Sequence, residues 1–132
     1  MAGRGNDDRG IIVETKLHVP VPRRGLVHRD SLVASLVEGS RRKLTLVSAA
    51  AGSGKTTLLA EWDAAEEALA FAWLSLDPGD NDPVRFWSHV IEALRRVVPE
   101  LGQGAEMAWR APGTIPADDV VPLLVNELAS TP

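Results

Sequence analysis

The chain has 132 residues, 45% of them hydrophobic and 24% charged, with a formal net charge of −4, which suits a soluble globular domain with a modest core. The negative balance argues against a nucleic-acid footprint spread over the surface, and the absence of cysteine excludes disulfides, thiolate metal sites and a cysteine nucleophile. No apolar run reaches transmembrane length and the N-terminus lacks a signal-peptide core, so a cytoplasmic protein with no membrane partner is expected.

Residues 1–10 are rich in glycine and charge, and a flexible tail is expected over 1–14, with 15–132 forming one partial domain. Pro20 and Pro22 bias the following stretch toward extended backbone. A short helix is predicted from Ser31 to Glu38, with Asp30 as its N-cap and Gly39 just past its end. Lys43 to Ser48, rich in β-branched and aliphatic residues, reads as a short buried strand. The small-residue turn Ala49 to Gly54 then opens a helix predicted from Lys55 to Ala65.

Ala68 to Leu76 is apolar on both faces, as a central strand of a helix-covered parallel sheet requires. Asp77 to Asp82 is a polar turn, and Asp82 as N-cap with Pro83 at the first helical position announces a third helix. Val84, Trp87, Val90, Ile91, Leu94 and Val98 supply its apolar face. Pro99 to Gly113 reads as a loop, and a last helix is predicted from Val120 to Ala129 with Pro122 in its first turn. Strand, helix, strand, helix, helix predicts an α/β fold, a P-loop NTPase parallel sheet with flanking helices. Two strands make an incomplete sheet, so the chain reads as the N-terminal half of such a domain, truncated after residue 132.

Ala49-Ala50-Ala51-Gly52-Ser53-Gly54-Lys55-Thr56 matches the phosphate-binding pattern G-x-x-x-x-G-K-[ST] except at its first position. Gly52 and Gly54 would let successive amides turn toward phosphate oxygens. Lys55 would place its ammonium against the β- and γ-phosphates, and the Thr56 hydroxyl would ligate Mg²⁺. The following helix aims its positive dipole end at the same anion. Gly52, Ser53, Gly54, Lys55, Thr56 and Thr57 are therefore the expected contacts for ATP or ADP with Mg²⁺. Ala49, in place of the usual glycine, is tolerable if that residue needs no positive φ.

Asp77 ends an apolar segment but reads as a turn residue, together with Asp80 and Asp82, rather than as a Mg²⁺-orienting carboxylate. With no second acidic motif, a catalytically complete ATPase is not expected. Arg23-Arg24 and Arg41-Arg42-Lys43 read as solvated charge. His18, His28 and His89 lack metal-ligand spacing, and Trp62, Trp73, Trp87 and Trp109 read as core or interface residues.

Several blocks in order carry a family resemblance: Thr15-Lys16-Leu17-His18-Val19-Pro20, Arg23 to Arg29, Leu46 through the loop to Leu59, Ala72-Trp73-Leu74-Ser75-Leu76-Asp77, and Asp80-Asn81-Asp82-Pro83-Val84-Arg85-Phe86. Together they resemble the N-terminus of large ATP-dependent LuxR-type transcriptional regulators, similar to the maltose-regulon activator and of the STAND class of signalling NTPases. That family commonly has Ala where Ala49 stands; Ala50 replaces its usual Pro. The resemblance implies a nucleotide-dependent switch, self-association in the full-length regulator, and DNA binding only through a C-terminal helix-turn-helix that lies beyond these residues. It also implies that Val27 and Arg29, within Leu26-Val27-His28-Arg29, lie beside the adenine. Two other readings are a small P-loop kinase with Asp77 and Asp80 near the acceptor, and a remnant module that binds only a protein partner.

Overall fold

The computed structural model describes residues 11–21, 25, 27–105 and 117–131. Among the described residues four α-helices can be delimited: α1 (Asp30–Gly39), α2 (Lys55–Ala65), α3 (Pro83–Arg95) and α4 (Ala117–Ala129), with 3₁₀ turns at Glu14–Leu17 and Pro78–Asn81. The chain divides into two compact units, Val19–Phe71 on one hand and Met1–His18 with Ala72–Pro132 on the other.

The expected parallel sheet does not form: no described residue is in a strand. Residues 44–50 and 70–77 are neither helical nor paired in a ladder. Leu44 and Leu46, expected inside a sheet, are 81% and 84% exposed. The second segment makes one long-range backbone bond, from the Ser75 amide to the Lys16 carbonyl at 2.9 Å, besides the local turn bond that the Asp77 carbonyl accepts from the Asp80 amide. A strand persists only as part of a ladder with a covered face, and a single bond to a 3₁₀ turn supplies neither. The α/β parallel-sheet assignment is therefore corrected to a helical architecture among the described residues.

In the first unit, α1 packs on α2, burying Leu36 of α1 and Leu58 and Ala60 of α2. The Ser40 amide closes α1 on the Leu36 carbonyl at 2.8 Å. Thr45 Oγ1 donates to the Gly39 carbonyl at 3.0 Å, and a Cβ on Gly39 would meet that hydroxyl at 2.9 Å, so glycine permits the approach. Trp62 packs edge-on to Phe71, with ring centroids 4.7 Å apart, the arrangement that aromatic quadrupoles favour.

In the second unit, α3 starts where its caps dictate: Pro83 occupies the first helical position and Asp82 Oδ1 accepts the Arg85 amide at 3.0 Å. Its apolar face meets α4 in a core of Ile91, Leu101, Ala105, Val120 and Leu124, flanked by Trp87, Leu94, Val98 and Leu123. The stretch expected to be a loop contributes to this core, because residues 103–105 are helical. The Glu127 carboxylate accepts the amides of Gly102, Gly104 and Ala105, so α4 satisfies the free donors at the start of that turn. Trp109 lies outside the described residues, as do Arg23, Arg24, Leu26 and residues 1–10.

Candidate functional site

The loop before α2 is organised around Lys55. Its Nζ donates to the carbonyls of Ala49 at 2.7 Å and Ala50 at 2.9 Å, so the backbone folds around the lysine stem. Two glycines make the turn possible, since Gly52 and Gly54 have φ of 78° and 84°, values that cost an L-residue a steric penalty. Among the described residues no non-glycine has positive φ, so Ala49 meets no strain at its position. Gly54 is the N-cap of α2 and no side chain caps that end, which leaves the first amides and the positive pole of the dipole available to an anion.

Arg29 joins this loop to the segment before α1. Its Nη1 donates to the Ser53 carbonyl at 2.9 Å, and a Cβ on Gly54 would meet the guanidinium at 3.3 Å. Val27, Arg29, Gly54 and Thr57, four of the eight expected contacts, line one cavity of about 270 Å³ together with Gly25, Leu58 and Glu61. Gly52 and Lys55 lie within the loop and on its lysine hinge, and Thr56 is exposed at the start of α2. Ser53 Oγ is buried with no hydrogen-bond partner. A buried hydroxyl without a partner costs free energy that an oxygen-rich ligand can offset.

The donor set thus fits a phosphate group: a lysine ammonium, an orphaned hydroxyl, glycine-permitted turns and a helix N-terminus. A cation at Thr56 finds one protein oxygen there, and Mg²⁺ tolerates few protein ligands when phosphates and waters complete its shell. Sequence reasoning missed Gly25, Leu58 and Glu61. Leu58 and Glu61 follow Thr57 at spacings of one and four, which places Glu61 on the same helical face one turn on.

The aspartates of the turn after residue 76 do different work. Lys16 Nζ lies 2.6 Å from Asp80 Oδ2 and 2.7 Å from Asp77 Oδ2. Asp77 accepts the Gly79 amide at 2.7 Å while Asp80 Oδ2 accepts the Asp77 amide at 2.8 Å, a reciprocal cap. Asp80 is buried rather than the surface residue expected. The Lys16 hydrogen bonds pull both carboxyls below their ordinary range. Burial works against the Lys16 charge, but the bonds to Asp77 and Asp80 outweigh it and raise its pKa. His89 is fully buried. Its Nε2 accepts the Val13 amide at 3.1 Å, so the ring proton is on Nδ1, 2.8 Å from the Arg85 carbonyl. These residues pin the N-terminal segment to α3 and are already engaged with one another.

The chain is 45% identical over 85 residues to the HTH-type transcriptional regulator MalT of Serratia proteamaculans. It is 41% identical over 86 residues to MalT of Cronobacter sakazakii. These matches take in 64% and 65% of the chain and 9% of each regulator. The chain is homologous to a region of MalT-type, LuxR-type regulators. It is also 37% identical over 116 residues, 86% of its length, to the serine/threonine-protein kinase PknK of Mycobacterium tuberculosis, covering 10% of that kinase. The chain therefore spans about a tenth of the length of these relatives. No family model matches, and no solved structure does. No described helix is long and apolar enough to cross a membrane.

Proposed function

We propose that this chain is the nucleotide-binding portion of a MalT-like transcriptional regulator, holding ATP or ADP with Mg²⁺ on the loop Gly52 to Thr57 as part of a nucleotide-dependent signalling switch of the STAND class. The observation that carries the reading is the Lys55 arrangement, in which the ammonium is drawn back over the Ala49 and Ala50 carbonyls at the open N-terminus of α2. A cation so placed suits the β- and γ-phosphates. Thr56 would add its hydroxyl to Mg²⁺, and Val27 and Arg29 would flank the base. Similarity to both a regulator and a protein kinase also favours a shared regulatory element over a DNA reader.

In this reading the chain binds nucleotide without hydrolysing it by itself, since Asp77 and Asp80 are committed to Lys16. DNA contact and self-association belong to other parts of a longer, cytoplasmic regulator. The same engagement of Asp77 and Asp80 gives the metabolite-kinase reading no support. Calorimetric titration of the full chain with Mg²⁺–ATP and Mg²⁺–ADP tests the proposal. Binding should be at least tenfold weaker after Lys55→Ala, and equal affinity of the two chains for nucleotide would overturn it.

A further inference from the structure

We infer that Glu61 is a specificity-determining residue of the cavity beside the loop, accepting a hydrogen bond from the 6-amino group of an adenine base and so selecting 6-amino over 6-oxo purines. The inference rests on the nucleotide reading above.

Glu61 lines the cavity with Val27, Arg29, Gly54, Thr57 and Leu58, and its side chain is only 12% exposed. The nearest basic group, His28 Nδ1, is 3.6 Å away on a side chain 82% exposed, beyond hydrogen-bonding distance. No described residue donates a hydrogen bond to this carboxylate. A carboxylate largely shielded from water, with only the exposed His28 ring near it, gains from a donor brought by a ligand.

Position along α2 decides which donor. Phosphates bind at the N-terminus, near Gly54, and Glu61 is seven residues further on, about 10 Å at the helical rise. Phosphate and base are the two ends of a nucleotide, with the sugar between them, so a residue two turns along α2 meets the base rather than the ribose. Val27 and Leu58 give the cavity apolar walls, and its volume of about 270 Å³, near the lower end for small-ligand sites, suits a base rather than a whole nucleotide. Adenine offers Glu61 an N–H donor. A 6-oxo purine places an acceptor where adenine has its amine and moves its nearest donor to N1–H, so a carboxylate held opposite the 6-position disfavours it.

The test measures binding of Mg²⁺ complexes of ATP, ITP, GTP and purine riboside triphosphate to the full chain and to Glu61→Gln. The wild type should prefer ATP over ITP by about tenfold or more, and over purine riboside triphosphate, which simply lacks the amine, by a similar factor. Glu61→Gln, whose amide can donate to a 6-oxo group, should bring the ATP-to-ITP ratio close to one. A structural role alone would weaken both nucleotides together and leave the ratio unchanged, overturning the assignment. Tighter binding of GTP than ATP would overturn it too, as would equal binding of ATP and purine riboside triphosphate to the wild type, an arm that needs no variant to fold. If the wild type binds ATP but these ratios fail, only the Glu61 role falls; if it binds no nucleotide, the broader reading falls with it.

Discussion

Arg29 Nη1 donates to the Ser53 carbonyl at 2.9 Å, so the residue that caps α1 also holds the turn that opens α2. Its backbone carbonyl accepts the Leu32 and Val33 amides at 2.9 and 3.0 Å. One side chain thereby ties the loop to the segment carrying Val27. Arg29→Ala should leave α1 intact, accelerate amide exchange at Ser53 and Gly54, and weaken nucleotide binding by about tenfold. Arg29→Lys should rescue little, because an ammonium lacks the planar fork of guanidinium. Unchanged exchange at those amides in Arg29→Ala would show that the contact does not hold the loop.

Gly54 combines a φ of 84° with a guanidinium that a Cβ would meet at 3.3 Å. Gly54→Ala should cost about 1–2 kcal/mol for the left-handed backbone and displace Arg29, which a flexible side chain can accommodate. Chemical denaturation of the two chains measures the cost. A stability equal to the wild type would mean that the loop adopts another backbone.

The Lys16, Asp77 and Asp80 cluster predicts a stability profile with two limbs. Asp77 and Asp80 have folded-state pKa values below the unfolded ones, so their stabilisation is present above about pH 4 and is lost as pH falls through the folded values. Lys16 is raised, so its contribution is complete below about pH 10 and is lost as pH climbs through its folded value. Thermal unfolding against pH, followed by the indole NMR signals of Trp73 and Trp87, should fall on both sides of that plateau. Asp80→Asn should lower the midpoint at neutral pH and flatten the acid limb. An acid limb as steep as the wild type's would exclude the cluster as its source.

Asp82 caps α3 through its bond to the Arg85 amide. Asp82→Ala should destabilise the unit containing α3 by about 1 kcal/mol, and Asp82→Asn or Asp82→Ser by less. Denaturant midpoints with a common slope are the check. An Asp82→Ser chain as unstable as Asp82→Ala would show that capping is not the cause.

Local chemistry made some of this legible in the sequence. α2 runs from Lys55 to Ala65 as expected because Gly52 and Gly54 punctuate the turn and no breaker follows. α3 starts at Pro83 because Asp82 and Pro83 form a start signal that needs no tertiary partner. The strands were misread because apolar composition reports a tendency to be covered, and pairing depends on a partner that neighbouring residues do not encode. The second expected strand, Ala68 to Leu76, even straddles the two units, one of which ends at Phe71.

The roles of Lys16 and His89 are not legible locally because their partners are distant: Asp80 is 64 positions from Lys16, and Val13 is 76 from His89. Nothing in its immediate sequence sets Glu61 apart from a solvated helix glutamate. Its spacing from Thr57, one helical turn on, is the one signal in the sequence that ties it to the loop.

The central claim is that nucleotide phosphate binds at Gly52 to Thr56. Backbone amide NMR of the full chain during titration with Mg²⁺–ATP tests it most directly. The account predicts the largest shifts at Gly52, Ser53, Gly54, Lys55 and Thr56, smaller ones at Val27, Arg29 and Glu61, and their disappearance in Lys55→Ala. Saturating nucleotide that leaves those amides unmoved, or shifts confined to residues 72–105, would contradict it.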